Sequence, residues 1–169
     1  LRAITRFERW RVGAWNESGL LASLLFGDAN KLFEAHDASG FEWLSRDAEA
    51  VERYVSDPLC GFVPCTQSLL DMLDGAAEAT SPEAIARTPE RLPIYLFSGE
   101  DDPVHERGEG LDRLIDRLRV AGLGPELKLY PGARHETLNE TNRLEVYADV
   151  LLWIEASAKT CRAAAHAER

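Results

Sequence analysis

Pro93-Ile94-Tyr95-Leu96-Phe97-Ser98-Gly99-Glu100-Asp101-Asp102-Pro103-Val104 and Leu127-Lys128-Leu129-Tyr130-Pro131-Gly132-Ala133-Arg134-His135-Glu136 decide how this chain folds. Each is a short apolar run that ends in a turn. The first turn carries the acids Glu100, Asp101 and Asp102, and the second carries His135. Between the runs, Leu111, Leu114, Ile115 and Leu118 recur at i, i+3, i+4 and i+7, the apolar stripe of an amphipathic helix expected over 107–121 and closed by Gly122. Strand, helix and strand in this order imply a parallel pair joined by a crossover. Sites in such sheets lie beyond the carboxyl ends of the strands, where Asp102 and His135 both fall.

Of the three acids, Asp102 is the one expected to act, because Asp-Pro fixes the local backbone. A carboxylate beside an imidazole is two-thirds of a hydrolytic triad: the acid holds the tautomer and the histidine moves the proton. Taken singly, Asp102 reads more simply as a helix cap and His135 as an ordinary loop histidine. Their matched places after two strands favour the functional reading. Tyr130-Pro131-Gly132 gives the second strand a stiff exit that aims the histidine. Arg134 and Glu136 are expected to act structurally through charge pairing, and His105 to lie on the surface. His36 and His166 belong to no motif.

The blocks SGEDDPV and YPGARHE resemble the second half of α/β-hydrolases, in particular the monoacylglycerol lipase and lysophospholipase group related to S33 serine aminopeptidases. In that family the acid sits in a G-x-x-D turn, matched by Gly99 to Asp102, and the histidine in a G-x-x-H turn, matched by Gly132 to His135. Phe41-Glu42-Trp43-Leu44-Ser45-Arg46-Asp47, followed by Asp57-Pro58-Leu59-Cys60-Gly61-Phe62, is similar to the helical lid of the same group. The resemblance covers roughly 20–155. It implies Asp102 as the catalytic acid, His135 as the catalytic base, and a lipid-like carboxylic ester as substrate. One element of the pattern is missing. Triad order on this fold is Ser, acid, His, with the serine in G-x-S-x-G, and no such motif occurs in the 169 residues. Ser18, Ser39 and Ser98 each neighbour a single glycine. The family's nucleophile would precede Leu1, which is not a methionine, so the expectation is the carboxyl-terminal part of an α/β-hydrolase whose serine lies outside this chain. Such a piece would sit against its missing amino-terminal half or self-associate. Acid and base serve amide or peptide hydrolysis equally well, and a non-catalytic binding module of hydrolase ancestry is the alternative from another class.

Composition narrows the classes further. With 29 acids against 19 Lys and Arg, the net charge is −10, the wrong sign for a nucleic-acid surface. The longest apolar run, Leu20 to Phe26, is too short to span a membrane. An odd count of three cysteines, Cys60, Cys65 and Cys161, predicts free thiols and a cytoplasmic, reducing setting. No metal or organic cofactor is implied.

Residues 1–90 read as a helical cap region, 91–158 as the core segment carrying acid and histidine, and 159–169 as a frayed tail. Within the first, residues 1–27 read as one or two helices, with breaks at Gly13 and over Asn16–Gly19. A helix is expected from Ser45 or Asp47 to Asp57-Pro58, another from Thr66 or Ser68 to Gly75, and a short one after Ser81-Pro82-Glu83. The last helix is expected to start at Asn139 or Thr141 and to bury Leu144, Tyr147, Leu151 and Ile154.

Overall fold

The computed structural model of the chain describes residues 1–33 and 38–167; His36 lies outside them, as does the side chain of His166. The architecture is helix-rich with one small parallel sheet. Five helices come first: α1 (Arg2–Val12), α2 (Gly19–Phe26), α3 (Ala48–Ser56), α4 (Thr66–Ala79) and α5 (Pro82–Ile85). Then follow β1 (Tyr95–Gly99), a 3₁₀ segment (Pro103–Gly108), α6 (Glu109–Val120), β2 (Glu126–Tyr130), a 3₁₀ turn (Thr137–Asn139) and α7 (Arg143–Ala167). Among the described residues of 1–90 there is no strand.

Local chemistry explains three of the helix starts. The Ser18 hydroxyl accepts from Leu21 N, the Asp47 carboxylate from Glu49 N and Ala50 N, and the Ser81 hydroxyl from Ala84 N. Each satisfies amide groups that a helix amino terminus leaves without partners. Helix α4 differs from expectation: it runs through Gly75 to Ala79. Its packing against α1, with Arg2 paired to Asp74 and Arg9 to Gln67, outweighs the local cost of one glycine. The crossover also departs from the single expected helix. Pro103 starts a 3₁₀ segment, and Gly108, at a φ of 97°, turns the chain before α6 begins at Glu109.

Strands β1 and β2 pair in parallel with Tyr95 opposite Glu126 and Gly99 opposite Tyr130. Among the described residues β1 has no strand on its other edge. Two small cores flank the sheet. Ile85, Leu118 and Leu123 pack with Ile94, Leu96 and Leu114, and Tyr130, Ala133 and Val146 pack with Phe97 and Val150. The second core corrects the expected stripe of the last helix, which begins at Arg143. Val146 and Val150 face the sheet, whereas Leu144, Leu151 and Ile154 are exposed, Leu144 by 75%. With two strands beneath it among the described residues, α7 covers one line of its apolar residues and not the other. The tail also differs from expectation, since α7 continues as helix to Ala167.

The ends of the two strands are locked by close backbone contact. A Cβ at position 99 would lie 2.1 Å from the Ala133 carbonyl oxygen and 2.2 Å from that of Arg134. No carbon can occupy that space, so Gly99 is required by the approach of the histidine turn. The substitution Gly99→Ala is expected to destabilise the chain by about 1–3 kcal/mol, read as a lower urea midpoint. An unchanged midpoint would contradict this close approach.

Candidate active site

Both candidate side chains, Asp102 and His135, hang from this locked junction. Beyond the register, Glu100 N donates to Tyr130 O at 3.0 Å and Asp101 N to Ala133 O at 2.9 Å. These bonds join the acid turn to the histidine turn. They bring Asp102, 6% exposed, against the His135 ring, whose Nδ1 lies 3.1 and 3.0 Å from the two carboxylate oxygens. An ionised carboxylate only accepts, so Nδ1 carries the hydrogen and the neutral ring keeps its lone pair on Nε2. Among the described residues Nε2 makes no hydrogen bond, and the side chain is 38% exposed. The arrangement presents a free basic nitrogen to solvent with the opposite nitrogen anchored.

Asp102 also caps the 3₁₀ segment, accepting from Val104 N at 2.9 Å, and it accepts from the Ser98 hydroxyl at 3.1 Å. Capping and pairing are thus performed by one carboxylate. Glu100 and Asp101 contribute their backbone amides and do not reach the imidazole. His105 corrects its expected surface position. It is buried, its Nε2 donates to Gly99 O at 2.8 Å, and its Nδ1 accepts from Gly108 N at 2.8 Å. The turn after Pro103 folds the ring back under the strand end, where both nitrogens find backbone partners. Arg134 likewise bonds backbone rather than an acid: Nη1 donates to Glu42 O at 2.6 Å and Ser45 O at 3.2 Å, and its guanidinium lies 4.2 Å from the Phe33 ring centroid. Glu136 accepts from Asn139 Nδ2.

Segment 42–46 lies along the histidine turn. His135 N donates to Trp43 O at 3.3 Å and Glu136 N to Leu44 O at 2.8 Å. The Trp43 ring stands 5.0 Å from the His135 ring, centroid to centroid. Trp43 also lines an 800 Å³ cavity with Phe26, Phe41, Tyr54, Leu59 and Phe62, a volume within the range of small-molecule sites. Sequence reasoning marked Asp102 and His135 but missed Ser98, His105 and this tryptophan contact. Ser98 was legible only as the polar residue one strand position before Gly99.

The hydrogen bond that His135 donates to Asp102 raises the imidazole above its ordinary 6.5; burial opposes this, and the charges of Asp102 and Glu136 add to it. For Asp102, burial pushes upward, but bonds from His135, Val104 N and Ser98 prevail and hold the carboxyl below its ordinary 3.8. Both shifts favour the ion pair.

The family described as serine aminopeptidase, S33 matches residues 6–142. The chain belongs to this family of α/β-hydrolases. It is 33% identical over 114 residues to the monoacylglycerol lipase of Mycolicibacterium smegmatis, covering 66% of this chain and 38% of that protein. Among solved structures it superposes on a highly thermostable carboxyl esterase from Bacillus coagulans, in complex with glycerol, with a TM-score of 0.80 and 25% identity. A lipase in its open form gives 0.75 and 28%. Each superposition covers 92% of this chain and 51% of the other. The chain therefore spans from about two-fifths to half the length of these relatives. Among the described residues no helix is long and apolar enough to cross a membrane.

Two outcomes are expected. The His135 imidazole, followed by NMR and assigned by its loss in His135→Ala, titrates above 6.5, and Asp102→Asn lowers its midpoint; equal midpoints would contradict the pairing. The stability contributed by His135 is complete below its unfolded pKa of about 6.5 and lost as pH rises through the raised folded value. That contributed by ionised Asp102 is present above about 3.8 and lost as pH falls through its depressed value. The urea-measured stability difference between wild type and His135→Ala is therefore largest in the mildly acidic window and shrinks towards alkaline pH.

Proposed function

We propose that this chain carries the acid and base of a carboxylic-ester hydrolase acting on lipid-like esters, with Asp102 as acid and His135 as base. The observation that carries the reading is the Asp102–His135 pair, anchored at Nδ1 with Nε2 open. In the proposed mechanism Nε2 takes the proton of a serine hydroxyl as that oxygen attacks the ester carbonyl. Asp102 stabilises the imidazolium so formed. The same nitrogen then returns the proton to the departing alcohol, and a second round with water releases the acid. Since G-x-S-x-G is absent from the 169 residues, the proposed serine and oxyanion donors belong to polypeptide outside this chain. Residues 1–90 are proposed as a cap and 91–158 as the core segment. The unpaired edge of β1 and the exposed apolar line of α7 support an amino-terminal half docked there.

The cavity beside Trp43 supports an acyl chain over a peptide, since rings and aliphatic side chains dominate its lining and Ser23 and Cys60 add only small polar groups. A cytoplasmic setting is proposed on the free thiols of Cys60, Cys65 and Cys161.

The test is an assay on protein that includes the preceding polypeptide, with short and long acyl p-nitrophenyl esters and peptide p-nitroanilides. Ester cleavage is expected, faster for long acyl chains, and lost by about 10⁶-fold in His135→Ala. The 169 residues alone are expected to show none. Turnover undiminished in His135→Ala, or preference for the anilides, would overturn the proposal.

A further inference from the structure

One titratable group near the histidine is used by no step of this chemistry. Glu140 is fully buried. Its Oε1 accepts from Arg134 N at 2.8 Å and Arg46 N at 3.1 Å; its Oε2 accepts from Arg46 Nε at 2.9 Å and Thr141 N at 3.0 Å. A buried carboxylate is costly unless its lone pairs are met by donors. Here they are, and although burial pushes the carboxyl up, these bonds hold it below its ordinary range.

The identity of the donors matters more than their number. Arg134 N belongs to the residue just before His135, and Arg46 comes from the segment that supplies Trp43. The two segments meet along their length, through His135 N to Trp43 O, Glu136 N to Leu44 O, and Ser45 Oγ to Asn139 O at 2.9 Å. Glu140 bonds both segments at their junction through one buried carboxylate, beside the Arg134 guanidinium, which ties the histidine turn to Glu42 O and Ser45 O. Gly132, at a φ of 67°, lets the turn pass within reach of the Arg46 guanidinium, 3.0 Å from where a Cβ would stand. The His135 ring is thus held by Asp102 at Nδ1, by the tilted Trp43 ring 5.0 Å away, and, through the Arg134 amide just before it, by the Glu140 clamp.

We propose that Glu140 is a positioning residue for His135, joining segment 42–46 to the histidine turn so that the imidazole stays on Asp102 and under Trp43. This rests on the hydrolase reading for its consequence in turnover, though not for its consequence in the imidazole itself. The simpler possibility is a plain staple between the α3 start and the α7 start. The structure contains such a staple beside it: Arg143 Nη1 bonds Asp47 Oδ2 at 2.8 Å and the backbone Glu140 O at 3.2 Å, joining the same two elements while touching neither the Glu140 carboxylate nor the histidine turn. Arg143→Met is therefore the matched control.

The experiment compares wild type, Glu140→Gln, Arg46→Met, Arg46→Lys and Arg143→Met in protein that includes the preceding polypeptide. It reads the thermal midpoint, kcat and KM on a long acyl ester, and the NMR titration of His135. In Glu140→Gln the amide nitrogen confronts an N–H, so one corner of the clamp is lost. The expected result is a His135 midpoint moved towards 6.5 and a kcat lower by about 10²-fold with KM little changed. Arg46→Met behaves the same way more weakly, and Arg46→Lys recovers part of the loss. Arg143→Met lowers the thermal midpoint yet leaves kcat and the titration at wild-type values. If Glu140→Gln does not fold, Arg46→Met with its Lys rescue decides. A wild-type His135 titration in a folded Glu140→Gln or Arg46→Met protein would overturn the proposal, as would an Arg143→Met that moves kcat equally. Should wild type cleave no ester, the hydrolase reading fails, while the titration still decides whether Glu140 positions the ring.

Discussion

The site depends on one contact, the seating of the Ala133–Arg134 backbone against Gly99. Parallel register brings Gly99 opposite Tyr130, and the missing side chain lets two turns touch backbone to backbone. Two amide bonds then tie the turns together, from Glu100 N to Tyr130 O and from Asp101 N to Ala133 O. Once those are made, Asp102 and His135 have little freedom to separate. Their pairing is a consequence of main-chain geometry, and the energy of an isolated ion pair at partial exposure would be too small to impose it.

A second layer comes from far away in sequence. Segment 42–46 runs beside the histidine turn, buries Leu44 and Ser45, and places the Trp43 ring against the imidazole. Because Trp43 also walls the apolar cavity, occupancy of that cavity and placement of the histidine share a side chain. In the proposed enzyme this is how an acyl chain would feel the catalytic base. Buried His105 performs a comparable service for the acid turn, bonding Gly99 O on one side and Gly108 N on the other.

How much of this could be read from sequence follows from what each feature depends on. Strands β1 and β2, the helix between them, the cap Ser81, and Asp47 as one of two caps open for α3 are set by neighbours in the chain, and periodicity and turn chemistry expose them. Asp102 and His135 were legible because each follows a strand of the same parallel pair. Glu140, Arg46 and Trp43 were not, since their partners lie about ninety residues away and no local pattern encodes a long-range hydrogen bond. The stripe of α7 was misread for a related reason. Periodicity marks apolar residues but does not say which of two adjacent lines, Val146 with Val150 or Leu144 with Leu151, meets the two strands present. His105 was misplaced because a 3₁₀ turn after Pro103 carries no apolar period to reveal that its ring folds inward.

The most direct measurement of the central claim is a crystal structure of the protein with its preceding polypeptide, trapped by a long-chain alkyl phosphonate that mimics the tetrahedral state. The expected density joins phosphorus to a serine oxygen from outside these 169 residues. It places His135 Nε2 within about 3 Å of that oxygen or of the leaving-group position, with Asp102 still on Nδ1 and the alkyl chain beside Trp43. An adduct on another residue, or a His135 ring turned away from the phosphonate with Asp102 unpaired, would contradict it.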